Sequence, residues 1–347
     1  MSGNANPDRL MSTAPASQDG GRSHPQLRMR RLLNSSPAYM GVILLILVIF
    51  FSLMTPGTFA SAINARNILL DASMLLVVSV GMTYVMIGGG LDLSVGSVLV
   101  FAGVCAAQTM TAIGTDNVWT VIVGTLVALL AGLAWGLFNG LCIVKLRVPP
   151  LITTLGTMGA ALGFAELLTN GNDVRGIPMT LMSLGTSNVA GVPWIVVIAA
   201  IVTVIGGVWL HLTRFGRHTY ILGSNAEAAR RAGINVVRHQ FMLYAITGTL
   251  SGLAGMLSLA RFATTTIEGH GTDNLQSITA VVLGGTSLFG GVGSIIGTVF
   301  GVFIPSVLQN GFVIMGVQPF WQAVVIGFVL IGAVYLDQIK RRNRDRG

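Results

Sequence analysis

Ser224-Asn225-Ala226-Glu227 has the form of a capping box, a serine three residues ahead of a glutamate. Helix formers run on through Ala232, and Gly233 is placed for a left-handed stop. The short helix so marked presents Arg230 and Arg231, and two readings fit it. One is a surface helix held at anionic lipid headgroups, at about 1 kcal/mol per arginine. The other is a docking element seated in a partner's cleft, and spacing alone does not choose between them. A second group, Gly88-Gly89-Gly90-Leu91-Asp92-Leu93-Ser94, sets a carboxylate and a hydroxyl among glycines that let a backbone unwind. An ionisable residue at membrane depth is a functional candidate, but Asp92 and Ser94 also suit the cap of a following helix, the role expected of Ser94. A third group is scattered through apolar runs: Asp71, Asn139, Thr153, Thr154, Thr157, Glu166, Gln309 and Asn310. A path for a hydroxylated solute needs such hydrogen-bonding groups, and interhelical contacts explain any single one as well. Asp71, Asp92, Ser94, Asn139, Thr153, Thr154, Thr157 and Asn310 are therefore the candidates for a translocation path or gate.

Other chemistry is missing. The only lysines, Lys145 and Lys340, lack the glycine pattern of a P-loop, so ATP hydrolysis is not expected of this chain. No His-Glu-x-x-His or Gly-x-Ser-x-Gly occurs, Cys105 and Cys142 lie in separate apolar runs, and His211, His218 and His239 read as surface residues of a basic segment rather than metal ligands. The expectation is no catalytic residues, no metal and no cofactor.

The elements that must position these residues follow from composition. Of 347 residues, 52% are hydrophobic and only 9% charged, too few charges for the exterior of a soluble chain. The net charge of +8 is not gathered on one soluble face, so nucleic acid is not an expected partner. Apolar runs long enough for helical crossings of a core about 30 Å thick lie near 37–54, 68–88, 95–113, 119–144, 150–169, 192–212, 240–260, 275–289, 294–311 and 319–337. The second and eighth, which end in glycine runs, are the ones to be broken or re-entrant. With both termini cytoplasmic, ten crossings put 17 of the 20 basic residues on one side, leaving Arg66, Arg175 and Arg261 outside. The expected fold is thus all-α and polytopic. A polar, disordered cytoplasmic tail covers 1–36, a transmembrane domain 37–337 with a cytoplasmic segment at about 213–239, and a basic cytoplasmic tail 338–347. Small-residue ladders at Gly132, Gly136 and Gly140, at Gly248 and Gly252, and at Gly297 and Gly301 predict close helix packing. Gly290-Gly291-Val292-Gly293-Ser294 faintly echoes the glycine-rich stretch before residue 97.

At these residues the chain resembles the permease subunits of bacterial ABC importers for ribose, xylose, galactose and related sugars. The resemblance spans about 40–337 and rests on Gly89 through Ser97, Pro149 to Thr157, Gly216 through Ile234, and Val281 to Leu288 with Gly290-Gly291. It implies a type II importer permease in the bacterial inner membrane, working as a homodimer, with a heterodimer of permeases as the alternative. Its implied partners are a periplasmic sugar-binding protein and a cytoplasmic ATPase subunit that holds the ATP and Mg. By the same resemblance Gly223, Ser224, Asn225, Glu227, Ala228, Arg230, Arg231, Gly233 and Ile234 couple to the ATPase, and the outer loops near 171–191 and 262–274 receive the binding protein.

Overall fold

A computed structural model of the chain describes residues 36–318 and nine positions between 320 and 335. Both tails, and most of the span expected at 319–337, fall outside the described residues. The regular elements described are helical apart from one two-stranded hairpin, β1 (Asn188–Val189) and β2 (Val192–Pro193). Seven helices are long and apolar enough to cross a membrane. They are α2 (Ala62–Ile87), α3 (Val95–Ile113), α4 (Val118–Gly140, prolonged by a π-helical turn Leu141–Lys145), α5 (Pro150–Thr169), α7 (Trp194–Leu212), α10 (Val236–Phe262) and α12 (Ile295–Ile314). Before them comes α1 (Ser36–Met54), whose apolar part is shorter, and between them lie α6 (Met179–Thr186), α8 (Arg214–Ser224), α9 (Ala226–Arg231) and α11 (Asp273–Leu283).

Local chemistry sets the boundaries. Ser61, Asn117, Asn235 and Ser294 cap α2, α4, α10 and α12 by accepting the amides of Asn64, Thr120, Arg238 and Gly297. α5 and α7 start at prolines, whose missing N–H would have no partner in a first turn anyway. Left-handed residues Gly114, Asn170 and Ala263 end α3, α5 and α10.

Of the two runs that could be broken or re-entrant, the second is not, since α2 is unbroken from Ala62 to Ile87, whereas the eighth is cut short. α11 has only 11 residues, about 16 Å at 1.5 Å per residue, roughly half a hydrocarbon core. The preceding stretch 263–272 is irregular, and Gly284 and Gly285 turn the chain instead of continuing the helix to residue 289. The apolar run was continuous in composition, but the glycines and the polar start at Asp273-Asn274 shorten it.

α2 is the central helix, with every residue from Ala72 to Gly88 buried. α10, α12, α7 and α11 pack around it. The outer helices α1, α4 and α7 expose Leu45, Ile46, Leu126, Leu130, Val204 and Ile205, the apolar surface that a bilayer covers. Glycine ladders make the tightest helix pair: a methyl on Gly132 would strike Gly248 and Gly252, and one on Gly136 would strike Tyr244 and Ala245. α4 and α10 thus meet backbone to backbone, as small-residue spacing predicts. Gly297 and Gly301 do the same for α12 against Gly284 and Ala280.

Candidate functional site

The segment between α7 and α10 folds as two short helices. Thr213 opens α8 by accepting the Gly216 amide, and Asn225 opens α9 by accepting the amides of Glu227 at 3.0 Å and Ala228 at 2.9 Å. The capping residue is therefore Asn225, not Ser224, which forms the last turn of α8. Glu227 does not close a box either; it pairs with Arg230 at 3.1 Å and Arg231 at 3.3 Å, on exposed side chains. Such pairs contribute about 0.3–0.5 kcal/mol each. Gly233, with φ +80°, stops α9 as expected, and the amides of Gly233 and Ile234 close onto Arg230 and Ala229. Ala229 and Ile234 are buried with Leu222 and Val236, whereas Ser224, Asn225, Glu227, Ala228, Arg230, Arg231 and Gly233 are exposed. The helix is thus anchored by one apolar side and presents its polar side outward.

Contacts with the bundle run through bare backbone. The Gly291 amide donates to the Ile87 carbonyl at 2.8 Å, at the C-terminal end of α2. A methyl on Gly223 would overlap that same carbonyl and come within 2.6 Å of the Gly291 nitrogen, and one on Gly290 would lie 2.9 Å from Gly89 Cα. Residues 87–89, Gly223 and Gly290-Gly291 therefore meet backbone to backbone, with the Ser224 hydroxyl beside Gly291, which gives the two glycine runs a shared place in space. Tyr220 adds a tie from α8, its hydroxyl donating to the Gly293 carbonyl at 2.7 Å while burial pushes its phenol up. His239 corrects an expectation: it is buried, bonded to the Thr219 hydroxyl at 2.8 Å and packed at a tilt against the Phe215 ring, because α10 begins beneath α8 rather than beyond it.

The chain leaves this junction through Gly90 to a buried cluster at the start of α3. Asp92 Oδ1 accepts the Ser94 amide at 2.9 Å and the Ser94 hydroxyl at 2.6 Å, and Asn139 Nδ2 of α4 donates to the Ser94 oxygen at 2.9 Å. The expected capping role of Ser94 is thus reversed, since its side chain caps nothing and Asp92 supplies the acceptor. Burying a carboxylate is costly unless donors converge on it, and these contacts supply two.

Asp71 and Asn310 lie elsewhere, together, on a cavity of ≈420 Å³ at the opposite end of the bundle from α8 and α9. Asp71 of α2 is paired at 2.7 Å with Arg261, which closes α10, and Asn310 of α12 exchanges amide bonds of 2.9 Å with Asn64. The same wall holds residues that sequence reading passed over: His270, Asp273 and Gln276. His270 is bridged between the Ser258 hydroxyl at 2.8 Å and Asp273 at 2.7 Å. Polar residues at the mouth of an expected span gave no period to flag them. The irregular stretch before α11 is held over the cavity by Asp173, whose Oδ1 accepts the Thr265 hydroxyl and the Ile267 amide, both at 3.1 Å. Nearby, the Thr180 amide at the start of α6 donates to Asp116 at 2.8 Å and holds that carboxyl below the usual range.

Thr153, Thr154 and Thr157 join neither group. They are buried on α5, where the hydroxyls of Thr154 and Thr157 bond to carbonyls of their own helix, Pro150 and Thr153. The eight path candidates thus occupy three separate places.

Comparison with known proteins adds the wider relation. A family described as "Branched-chain amino acid transport system / permease component" matches residues 64–334. The ribose import permease protein RbsC of Bacillus subtilis is 38% identical over 299 residues, 86% of this chain and 91% of its own length. The fructose import permease protein FrcC of Rhizobium meliloti is 33% identical, covering 95% of this chain and 93% of its own. The L-arabinose transport system permease protein AraH of Escherichia coli is 35% identical, covering 87% and 90%. No solved structure matches. With its apolar helices and this likeness over nearly its whole length, the chain belongs to the branched-chain amino acid transport system permease component family and is a multi-pass inner-membrane ABC transporter permease.

Proposed function

We propose that this chain is the translocation subunit of an ATP-driven importer for a monosaccharide, a pentose or a hexose. ATP and Mg are held by a separate cytoplasmic ATPase, and a periplasmic binding protein delivers the sugar. The permease is a pair of type II protomers, each crossing ten times with both ends cytoplasmic: a tail over 1–36, the transmembrane domain 37–337 and a basic tail 338–347. The observation that carries the reading is the bare-backbone contact of Gly223 with Ile87 and Gly291. α9, capped by Asn225 and polar outward, is shaped to seat in an ATPase cleft, and its root presses on the end of α2 and on the turn after α11. Closure of the ATPases moves α8 and α9, and the glycine junction passes that motion to the stretch leading to Asp92 and Ser94. On the other side, the binding protein meets the loops near 171–191 and 262–274. Asp173 ties these two loops together, so docking and the outer cavity share a lever. A ligand shifts such an equilibrium by its differential affinity for the two states.

Tagged chain extracted from native membranes tests the reading. A P-loop ATPase co-purifies, and Glu227→Ala with Arg231→Ala weakens that association while insertion is retained. Unchanged co-purification and transport in the double variant refute the coupling role.

A further inference from the structure

We infer that the outer cavity between α2, α11 and α12 is a binding site for one uncharged polyhydroxylated ring, so that the permease holds its sugar and does not only let it pass. The inference rests on the monosaccharide reading above and adds where the sugar sits and what selects it.

Size comes first. A volume of ≈420 Å³ lies within the range of small-molecule sites. Chemistry follows from the wall. Asp71, Asp273, Gln276 and Asn310 supply acceptors and donors from α2, α11 and α12. Among the described residues, Asp71 gives one oxygen to Arg261 and Asp273 gives one to His270, and the second oxygen of each has no protein partner. A carboxylate oriented in this way accepts hydroxyl donors, and the Ser258–His270–Asp273 chain fixes the orientation. Met74, Leu75 and Phe262 complete the wall with apolar surface, which suits the C–H face of a sugar ring.

Charge excludes the competitor suggested by the family's description. The lining has two carboxylates and neither lysine nor arginine, and Arg261 behind it is taken by Asp71. The carboxylate of an amino acid would enter with no cation to meet it. An uncharged polyol meets no such penalty.

The test uses the whole permease in lipid nanodiscs without partners. D-Ribose, D-fructose, L-arabinose and L-leucine are each titrated, with ligand-observed saturation-transfer NMR as readout. At least one sugar gives transfer, lost in Gln276→Leu and in Asn310→Leu and kept in Thr203→Val on α7, which lies away from the cavity. A second measurement avoids variants that fail to fold: Gln309→Cys at the cavity wall is labelled with a small charged thiol reagent, over the background of Cys105 and Cys142. The sugar slows labelling in proportion to occupancy, to half at its Kd. Sugar transfer that survives both cavity variants, or labelling that sugar does not slow, overturns the site. Leucine in place of sugar, with the same variant dependence, overturns the polyol assignment. Sugar uptake by the full complex with no binding in nanodiscs sinks this inference alone. Failure of the full complex to take up any sugar sinks the function reading beneath it.

Discussion

Gly223→Ala is the sharpest perturbation of the coupling route. Its methyl overlaps the Ile87 carbonyl and sits 2.6 Å from the Gly291 nitrogen, and these neighbours are backbone rather than movable side-chain ends. Overpacking of this kind costs about 1–3 kcal/mol, and disturbing the 2.8 Å bond from Gly291 to Ile87 adds about 1 kcal/mol. The total of about 2–4 kcal/mol corresponds to a roughly 30-fold to 1,000-fold shift against the packed junction. The bundle behind Ile87 is fully buried, so the strain is released by moving α8 and α9 outward. The expected phenotype is a protein that inserts and retains most of its thermal stability but, reconstituted with its ATPase, hydrolyses ATP with little transport. Gly233→Ala is the control: its φ of +80° makes a side chain unfavourable by about 1–2 kcal/mol, yet open space surrounds it. It therefore alters the end of α9 without touching the junction. Gly223→Ala with wild-type melting and wild-type transport per ATP refutes the reasoning.

Further outcomes follow from single contacts. Asn225→Ala loses a cap worth about 1 kcal/mol, whereas Ser224→Ala loses none, so amide exchange across α9 rises in the first variant and stays flat in the second. Asp92→Ala leaves the Ser94 amide buried and unpaired at about 1–3 kcal/mol; Asp92→Asn, which keeps an acceptor, melts closer to wild type, and equal melting of the two discounts the cluster. Asp173→Ala frees the stretch at 265–267, read as faster proteolysis there and weaker stimulation by the binding protein, with unchanged stimulation as the contrary result. Because the folded Asp116 carboxyl is held below its usual value near 3.8, the contact with α6 contributes above that value and is lost as pH falls through the lower, folded one. Exchange at Thr180 measured against Asp116→Asn should therefore differ at neutral pH and converge in strong acid.

Sequence alone exposed the bundle well wherever one run of apolar residues had one fate. The spans near 68–88, 95–113, 119–144 and 150–169 each match a helix of the structure, and the ladders on α4 and α10 meet as spacing implied. Legibility failed where a three-dimensional neighbour overrode local pattern. Ser224 fits a capping box, but α8 extends through it and passes the cap one residue on to Asn225. Ser94 has the type of a cap, yet Asp92 folds back to take its amide. His239 sits in a basic stretch and is nevertheless buried, since Phe215 and Thr219 cover it. The outer cavity was half-visible: Asp71 and Asn310 stood out as polar residues in apolar runs. His270 and Asp273 were passed over because 262–274 read as an outer loop that receives the binding protein, not as the wall of a cavity.

The shortness of α11 has an electrical consequence. Irregular backbone at membrane depth needs protein or water for its peptide groups, and residues 269–272, which lead into α11 beside Gly96 of α3, border the polar cavity. Water admitted there brings the outside electrolyte about halfway into the bilayer, so the insulating layer at this place is close to the length of α11, about 16 Å. The membrane potential then falls across that short distance, and the local field is about twice that across a full hydrocarbon core of about 30 Å. A charged solute stepping past α11 would feel nearly the whole voltage in one move, about 2.3 kcal/mol per charge per 100 mV. A neutral sugar crosses the same gap unaffected, so a short barrier at α11 does not make import depend on the potential.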